Sequence, residues 1–333
     1  MIECPTVDVS PLFEPLEVRG KILRSRIVMP PMVQLRPITS DAGIQWYRER
    51  AAGGVSLVIV EATAVNRFGS ELTADNLRPL VEAIHEGGAL AAIQLFPVSF
   101  DFPRTETPPA PEELSIDAIA DIVDDYQRAG AICAAAGFDG VEPHGAHGYL
   151  LNQFFSPGQN KRTDLYGGPQ SNRERLALQI VQALRPLRDD GLLVLYRHTP
   201  IGNGYGIDDS RVFLEHLVQA GVDMLDISPA SDAAPGDRAA PFTDLGVPVI
   251  AVNHMDEVER AAEVLHEARA HLVAIGRGLI ADPEWPCKVR EARFDEIVQC
   301  ERCNEGCFGH LKQGIPVECV EWGDRAATEL NLP

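Results

Sequence analysis

Eight short runs rich in Val, Ile and Leu recur along this chain, separated by longer amphipathic stretches. That alternation constrains the fold more than any other feature. The runs are Arg26–Met29, Leu57–Ala62, Leu90–Leu95, Gly140–Pro143, Leu193–Arg197, Met224–Ser228, Val247–Val252 and Leu272–Gly276. Short, nearly continuous apolar runs bounded by turn residues read as strands covered on both faces. Helical periodicity fills the gaps, over Ile116–Ala136 behind Ser115 as an N-cap, and over Asn172–Arg188, Ser210–Ala220 and Asp256–Ala270. Strand and helix in strict alternation predict parallel strands joined by crossover helices. Eight such units predict a closed (β/α)8 TIM barrel over residues 1–295.

Two stretches depart from the repeat. Residues 229–246 hold three prolines and two glycines, so the crossover after the sixth strand is expected to be abbreviated. Residues 96–113 hold five prolines and read as a loop after the third strand, on the face where barrel enzymes do their chemistry. Residues 296–333 form a separate cysteine-rich extension carrying Cys300, Cys303, Cys307 and Cys319 as C-x2-C-x3-C-x11-C. Four thiolates this close suit a metal site, zinc or iron–sulfur, better than a disulfide framework. Structural zinc more often takes two separated C-x2-C knuckles, so three close cysteines and one remote favour a [4Fe-4S] cluster. Cys4, Cys133 and Cys287 read as structural.

The formal net charge is -20. An acidic surface of that size repels phosphate backbones and argues against nucleic-acid binding. No apolar run is long enough to span a bilayer, and the N-terminus shows no basic region followed by an apolar core. A cytoplasmic location is the default expectation, and homo-oligomerisation is left open.

The densest chemistry lies just after the fourth run. His144, His147 and Tyr149 follow its end within HGAHGYL. Then come Asn152-Gln153-Phe154, Pro157, Asn160, Arg162, Asp164, Tyr166-Gly167-Gly168 and Asn172-Arg173. This segment resembles the old yellow enzyme family, the flavin-dependent ene-reductases, over thirty-odd consecutive positions. The Pro30-Pro31-Met32 turn, Gln94-Leu95, Arg197 and Gly276-Arg277-Gly278 match it as well. The cysteine spacing and Asn304 resemble its iron–sulfur branch, which includes the barrel half of 2,4-dienoyl-CoA reductase.

The resemblance implies an FMN site at the strand ends. Pro30, Pro31, Met32 and Ala62 would line it. Gln94 would bond the pyrimidine edge, and Arg197 would lie by N1 and C2=O, stabilising the reduced flavin. Asn253, Gly276 and Arg277 would hold the phosphate. His144 and His147 would bind a substrate carbonyl, and Tyr149 would give the proton. The implied reaction is reduction of a C=C bond conjugated to a carbonyl or thioester in a small unsaturated substrate. Electrons would come from NAD(P)H, or from an electron-donor protein through the cluster. No GxGxxG fingerprint follows a strand, so an internal second nucleotide site is not expected. The alternatives are amine dehydrogenation or N-demethylation, and a flavin/iron–sulfur electron-transfer subunit with little activity alone. A His/His pair favours a carbonyl over a tertiary amine.

Four positions depart from the family pattern. Asn253-His254 stands where relatives have Gly-Gly, and Val33 where they place Thr or Cys. Phe96-Pro97-Val98-Ser99-Phe100 replaces WHAGR, and Pro143 precedes His144, where it is expected to shift the loop.

Overall fold

The computed structural model describes residues 7–97, 108–230 and 238–323. Ten strands run in chain order: β1 Leu16–Val18, β2 Lys21–Leu23, β3 Ile27–Met29, β4 Leu57–Ala64, β5 Leu90–Phe96, β6 Gly140–Gly145, β7 Leu193–His198, β8 Met224–Ile227, β9 Val249–Val252 and β10 Leu272–Ala274. Strands β3 to β10 pair in parallel and close into a barrel in the order β10-β3-β4-β5-β6-β7-β8-β9. The expected (β/α)8 barrel is the observed fold, and each expected run holds one of its eight strands.

Alternation explains the barrel interior. Side chains two apart share a face, so Val28, Leu57, Ile59, Ala92, Leu193, Leu195, Met224, Ile250, Leu272 and Ala274 point inward and fill the lower half. The antiparallel hairpin β1–β2, which the periodicity did not reveal, adds Val18 and Leu23 to that cluster and plugs the bottom. A larger core fills the space between strands and helices, with Tyr126, Phe155, Tyr196 and Phe213 buried in it.

The Ile116–Ala136 helix has its expected bounds. Ser115 Oγ accepts from the Ala118 amide at 3.1 Å, and Gly137 stops the helix at φ +100°. The other helices expected by name are present with shifted ends: Gln170–Arg173 with Arg175–Leu184, Ile207–Ala220 and Val258–His266. The sixth crossover is short among the described residues, with a single 3-10 turn at Ala240–Phe242; residues 231–237 lie outside them. Most of the 96–113 loop, with Val98, Ser99 and Phe100, and also Cys4, lie outside them too. No helix among the described residues is long and apolar enough to cross a membrane.

Pro143 does not disturb its strand. The pairing of β6 with β7 keeps one offset from Gly140↔Leu193 to His144↔Arg197. The irregularity falls instead in β4, whose register with β5 shifts between Val60 and Thr63. A bulge there re-aims Glu61 and Ala62 at the barrel mouth.

Candidate active site

The next inward positions up the barrel turn polar. Gln94 on β5, Glu142 on β6, Arg197 on β7 and Asp226 on β8 are all buried. Gln94 pairs in register with Glu142, and Arg197 pairs with Asp226 on one side and His144 on the other. Gln94 Nε2 donates to Glu142 Oε1 at 2.7 Å, and Arg197 Nε lies 3.2 Å from Asp226 Oδ2.

Leaving two carboxylates and one guanidinium charged here would cost several kcal/mol for each ion. Asp226 offsets its cost against Arg197. Glu142 has no such direct partner, and burial, then Asp226, push its carboxyl up to about 8, with Arg197 acting the other way. The arrangement is therefore an Arg197–Asp226 ion pair beside a Glu142 that holds its proton near neutral pH.

The reacting candidates gather around His144, the register partner of Arg197. The rings of His144 and His147 lie 5.2 Å apart, edge to face. Tyr149 lies 5.3 Å from His144 and packs edge-on against Phe96 at 5.0 Å. Burial first, then His147 and Arg197, hold His144 well below the usual histidine range. Burial and Arg197 push His147 down to about 3. Both rings are thus neutral at physiological pH, each with one N–H to give. His147 Nε2 lies 2.8 Å from Ser228 Oγ, which also accepts from Arg197 Nη2 at 3.0 Å. The Ser228 hydroxyl can give its proton to His147 Nε2 or accept one from it on its second lone pair. The His147 amide donates to Thr199 Oγ1 at 2.9 Å, and His147 takes φ +60°.

Residues 152–173 serve the loop rather than the chemistry. Asn152 Oδ1 accepts from Gly148 N at 2.9 Å and its amide reaches Tyr205 Oη at 2.7 Å. Asn160 Nδ2 donates to the carbonyls of Phe154 and Tyr166, both at 2.7 Å. Arg173 Nε donates to the Phe155 carbonyl at 2.8 Å. Side chains of this motif therefore fasten the segment that carries Tyr149.

The remaining rim residues are partly exposed around the mouth. Pro31 and Met32 follow β3, Ala62 ends the bulge of β4, Asn253 follows β9, and Gly276 and Arg277 follow β10. A Cβ on Gly276 would come 3.5 Å from Met32 Sδ and 3.8 Å from Pro30 Cγ, so the ends of β3 and β10 meet there. Asn253 and His254 take φ +95° and +59°. The turn thus has the left-handed shape that Gly-Gly adopts easily, with Asn and His at the two positions. Glu61, beside Ala62, accepts from Gln34 N at 3.0 Å, and burial pushes its carboxyl up to about 7.

Two observations bear on what this mouth could hold. His144 Nδ1 and Glu142 Oε2 are buried without a hydrogen-bond partner among the described residues, which fits a site completed by a polar ligand. The donor set fits a flavin: an amide and a guanidinium under the ring position, with a second guanidinium and a backbone turn at the rim.

Glu142, Asp226, Ser228 and Thr199 were not singled out from sequence. The first two had a signal, a lone acid at an inward position of an apolar strand. Glu142 lies two residues before His144 and Asp226 two before Ser228, on the same faces.

The cysteine segment packs on the barrel. Cys307, Leu311, Cys319 and Trp322 lean on the main core. Gln34 O accepts from Val317 N at 3.0 Å, and Trp322 Nε1 donates to Ile280 O at 3.0 Å. Cys300, Cys303, Cys307 and Cys319 are free thiols. Burial raises Cys307 and Cys319, and the charges of Cys300 and Cys303 add to it, so the four are neighbours. Among the described residues, no three His, Cys, Asp or Glu side chains converge tightly enough for one metal ion.

A family model described as NADH:flavin oxidoreductase / NADH oxidase matches residues 11–231 and 243–296. The chain is 32% identical to the NADH oxidase of Thermoanaerobacter brockii over 93% of its own length and 55% of that protein. It is 33% identical to the NADPH dehydrogenase of Geobacillus thermodenitrificans over 87% of its length and 98% of that protein. It thus spans about half of the first relative and nearly all of the second. Morphinone reductase in complex with tetrahydroNAD superposes with TM-score 0.72 and 27% identity, over 84% of this chain and 90% of that one. A 2-naphthoyl-CoA reductase complex superposes with TM-score 0.85 and 23% identity, over 97% of this chain and 58% of that one, a likeness of fold.

Proposed function

The chain belongs to the NADH:flavin oxidoreductase / NADH oxidase family, the old yellow enzyme family, and on that premise we propose that it is an FMN-dependent oxidoreductase reducing a C=C bond conjugated to a carbonyl or thioester. The reading is carried by one observation: two neutral histidine rings, 5.2 Å apart, stand beside Tyr149, and His144 is the register partner of Arg197. When bound, FMN supplies the hydride. Gln94 and Arg197 bind and orient its pyrimidine edge, with Arg197 supplying positive charge where negative charge gathers. Pro30, Pro31, Met32 and Ala62 line the ring, and Asn253, Gly276 and Arg277 bind the phosphate.

His144 and His147 each give one N–H to the substrate carbonyl oxygen. Because both are neutral, they stabilise developing charge without surrendering a proton to it. Ser228 holds the His147 ring in place through Nε2. Tyr149 holds the proton destined for the α-carbon at its hydroxyl. Phe96 forms an apolar wall against Tyr149 and His144.

Residues 296–333 form the electron-entry segment, with Cys300, Cys303, Cys307 and Cys319 as ligands of a [4Fe-4S] cluster. The spacing supports this over zinc: three close cysteines and one remote, C-x2-C-x3-C-x11-C, rather than two separated C-x2-C knuckles. The electron source is NAD(P)H acting directly, or a donor protein acting through the cluster.

The test is anaerobic purification with flavin, iron and sulfide assays, followed by turnover with a cyclic enone and an enoyl thioester. NADH, NADPH and dithionite serve in turn as reductants. FMN with turnover of either alkene is the expected result. FMN without turnover of either alkene overturns the reductase reading and favours the electron-transfer subunit.

A further inference from the structure

The cysteine segment grips the barrel at the two loops assigned to the flavin phosphate. Asn304, directly after Cys303, accepts at Oδ1 from Arg277 Nη1 at 2.9 Å. Arg302, directly before Cys303, donates from Nη2 to Asp256 Oδ1 at 2.7 Å and lies 3.1 Å from His254 Nδ1. One bond thus reaches the loop after β10, and two contacts reach the loop after β9. Arg302 and Asn304 take φ +60° and +62°. Left-handed backbone on both sides of Cys303 is unfavourable for residues with a side chain, less so for Asn. The Asn304 carbonyl is occupied by Gly309 N at 2.8 Å, which pins its backbone while the side chain points to Arg277.

We propose that Asn304 is a positioning residue for flavin phosphate, holding the Arg277 guanidinium in its binding geometry, a role that rests on the reading of Arg277 as the phosphate residue. An unrestrained arginine must lose its rotamer freedom when an anion binds. A hydrogen bond already made to Asn304 removes much of that loss beforehand, which raises affinity without a new contact. The same bond ties the segment bearing the cysteines to the flavin rim.

The test compares FMN with riboflavin, which lacks the phosphate, on the flavin-stripped full-length protein, by quenching of flavin fluorescence. Asn304→Gly removes the acceptor and keeps the left-handed backbone; Asn304→Ala is the second variant. Both are expected to weaken FMN about tenfold relative to riboflavin, the size of one charge-assisted hydrogen bond. Adding Arg277→Ala to Asn304→Gly is expected to cost no more of the FMN preference than Arg277→Ala alone. A variant that merely loosens the fold weakens both flavins alike and leaves their ratio unchanged, which overturns the proposal. If Arg277→Ala lowers the FMN preference and neither Asn304 variant does, the positioning role fails alone. If Arg277→Ala leaves that preference intact, the assignment of Arg277 fails and the proposal with it.

Discussion

Gln94 gives its amide N–H to Glu142 across the β5–β6 register at 2.7 Å, so the residue assigned to the pyrimidine edge is held by a buried carboxyl on the next strand. Glutamine can present either end of its amide. With Nε2 on Glu142, the Gln94 carbonyl oxygen is the end that remains for a ligand.

Replacing Glu142 tests this orientation. Glu142→Gln keeps an acceptor for Gln94 and is expected to leave flavin content intact. Glu142→Ala leaves Gln94 Nε2 buried without that partner, at a cost of about 1–3 kcal/mol in unfolding free energy, and is expected to lower flavin retention. Chemical denaturation and flavin content measure the two effects, and equal behaviour of the variants would sink the orienting role.

The same carboxyl predicts a pH dependence. Glu142 is raised from 4.5 to about 8 in the folded protein. Between those values the folded state binds more protons than the unfolded state, so stability falls as pH rises. The contribution is full below 4.5 and is lost as pH passes through about 8. Glu61, raised to about 7, acts in the same direction. Melting curves taken across this window are expected to slope less for Glu142→Gln than for the wild type.

At the barrel rim, Asn253 with φ +95° predicts a backbone effect separable from side-chain loss. Asn253→Ala and Asn253→Gly delete the same amide, but only alanine is strained at that angle. The alanine variant is expected to be less stable than the glycine variant by about 1–2 kcal/mol in denaturant unfolding. Equal stabilities would mean the turn relaxes.

Much of this site was legible in the sequence because local signals coincided with a global repeat. The eight apolar runs marked the strands, Gln94 and Arg197 stood near the ends of two of them, and the roles of Gln94, His144 and Arg197 came from the family resemblance. The hairpin β1–β2 was not legible, since three-residue strands carry too little periodicity. Glu142 and Asp226 were passed over because a single acid in an apolar run reads as an exposed position unless the barrel register is known. Nor could the sequence show that Asn304 reaches Arg277, a contact made by tertiary packing across 27 residues.

The histidine pair predicts a flat pH profile. His147 is pushed down to about 3 and His144 is held low as well, so neither gains a proton between about pH 5 and 8. Substrate KM is expected to show no break near the ordinary histidine value of 6.5. For stability the sign is the reverse of that for Glu142: a depressed histidine costs stability as pH falls below about 6.5, where the unfolded chain takes up protons and the folded one does not. A KM break near 6.5 that disappears in His147→Gln would show that the ring is charged when substrate binds.

Tyr149→Phe separates proton delivery from everything else at the mouth. Phenylalanine keeps the ring that packs edge-on against Phe96 at 5.0 Å and lies 5.3 Å from His144, so the pocket wall survives and only the hydroxyl is lost. Flavin reduction by NAD(P)H needs no proton from Tyr149 and is expected to keep its wild-type rate in stopped flow. Alkene reduction needs one and is expected to slow by about 10²–10⁴, the usual contribution of a positioned acid. KM for the alkene should change little, because His144 and His147 still hold the carbonyl. A loss confined to KM would reassign Tyr149 to binding, and a loss in both half-reactions would point to damage at the flavin itself. If neither half-reaction slows, the proton comes from solvent or from another group in the mouth, and the hydroxyl of Tyr149 is not the acid.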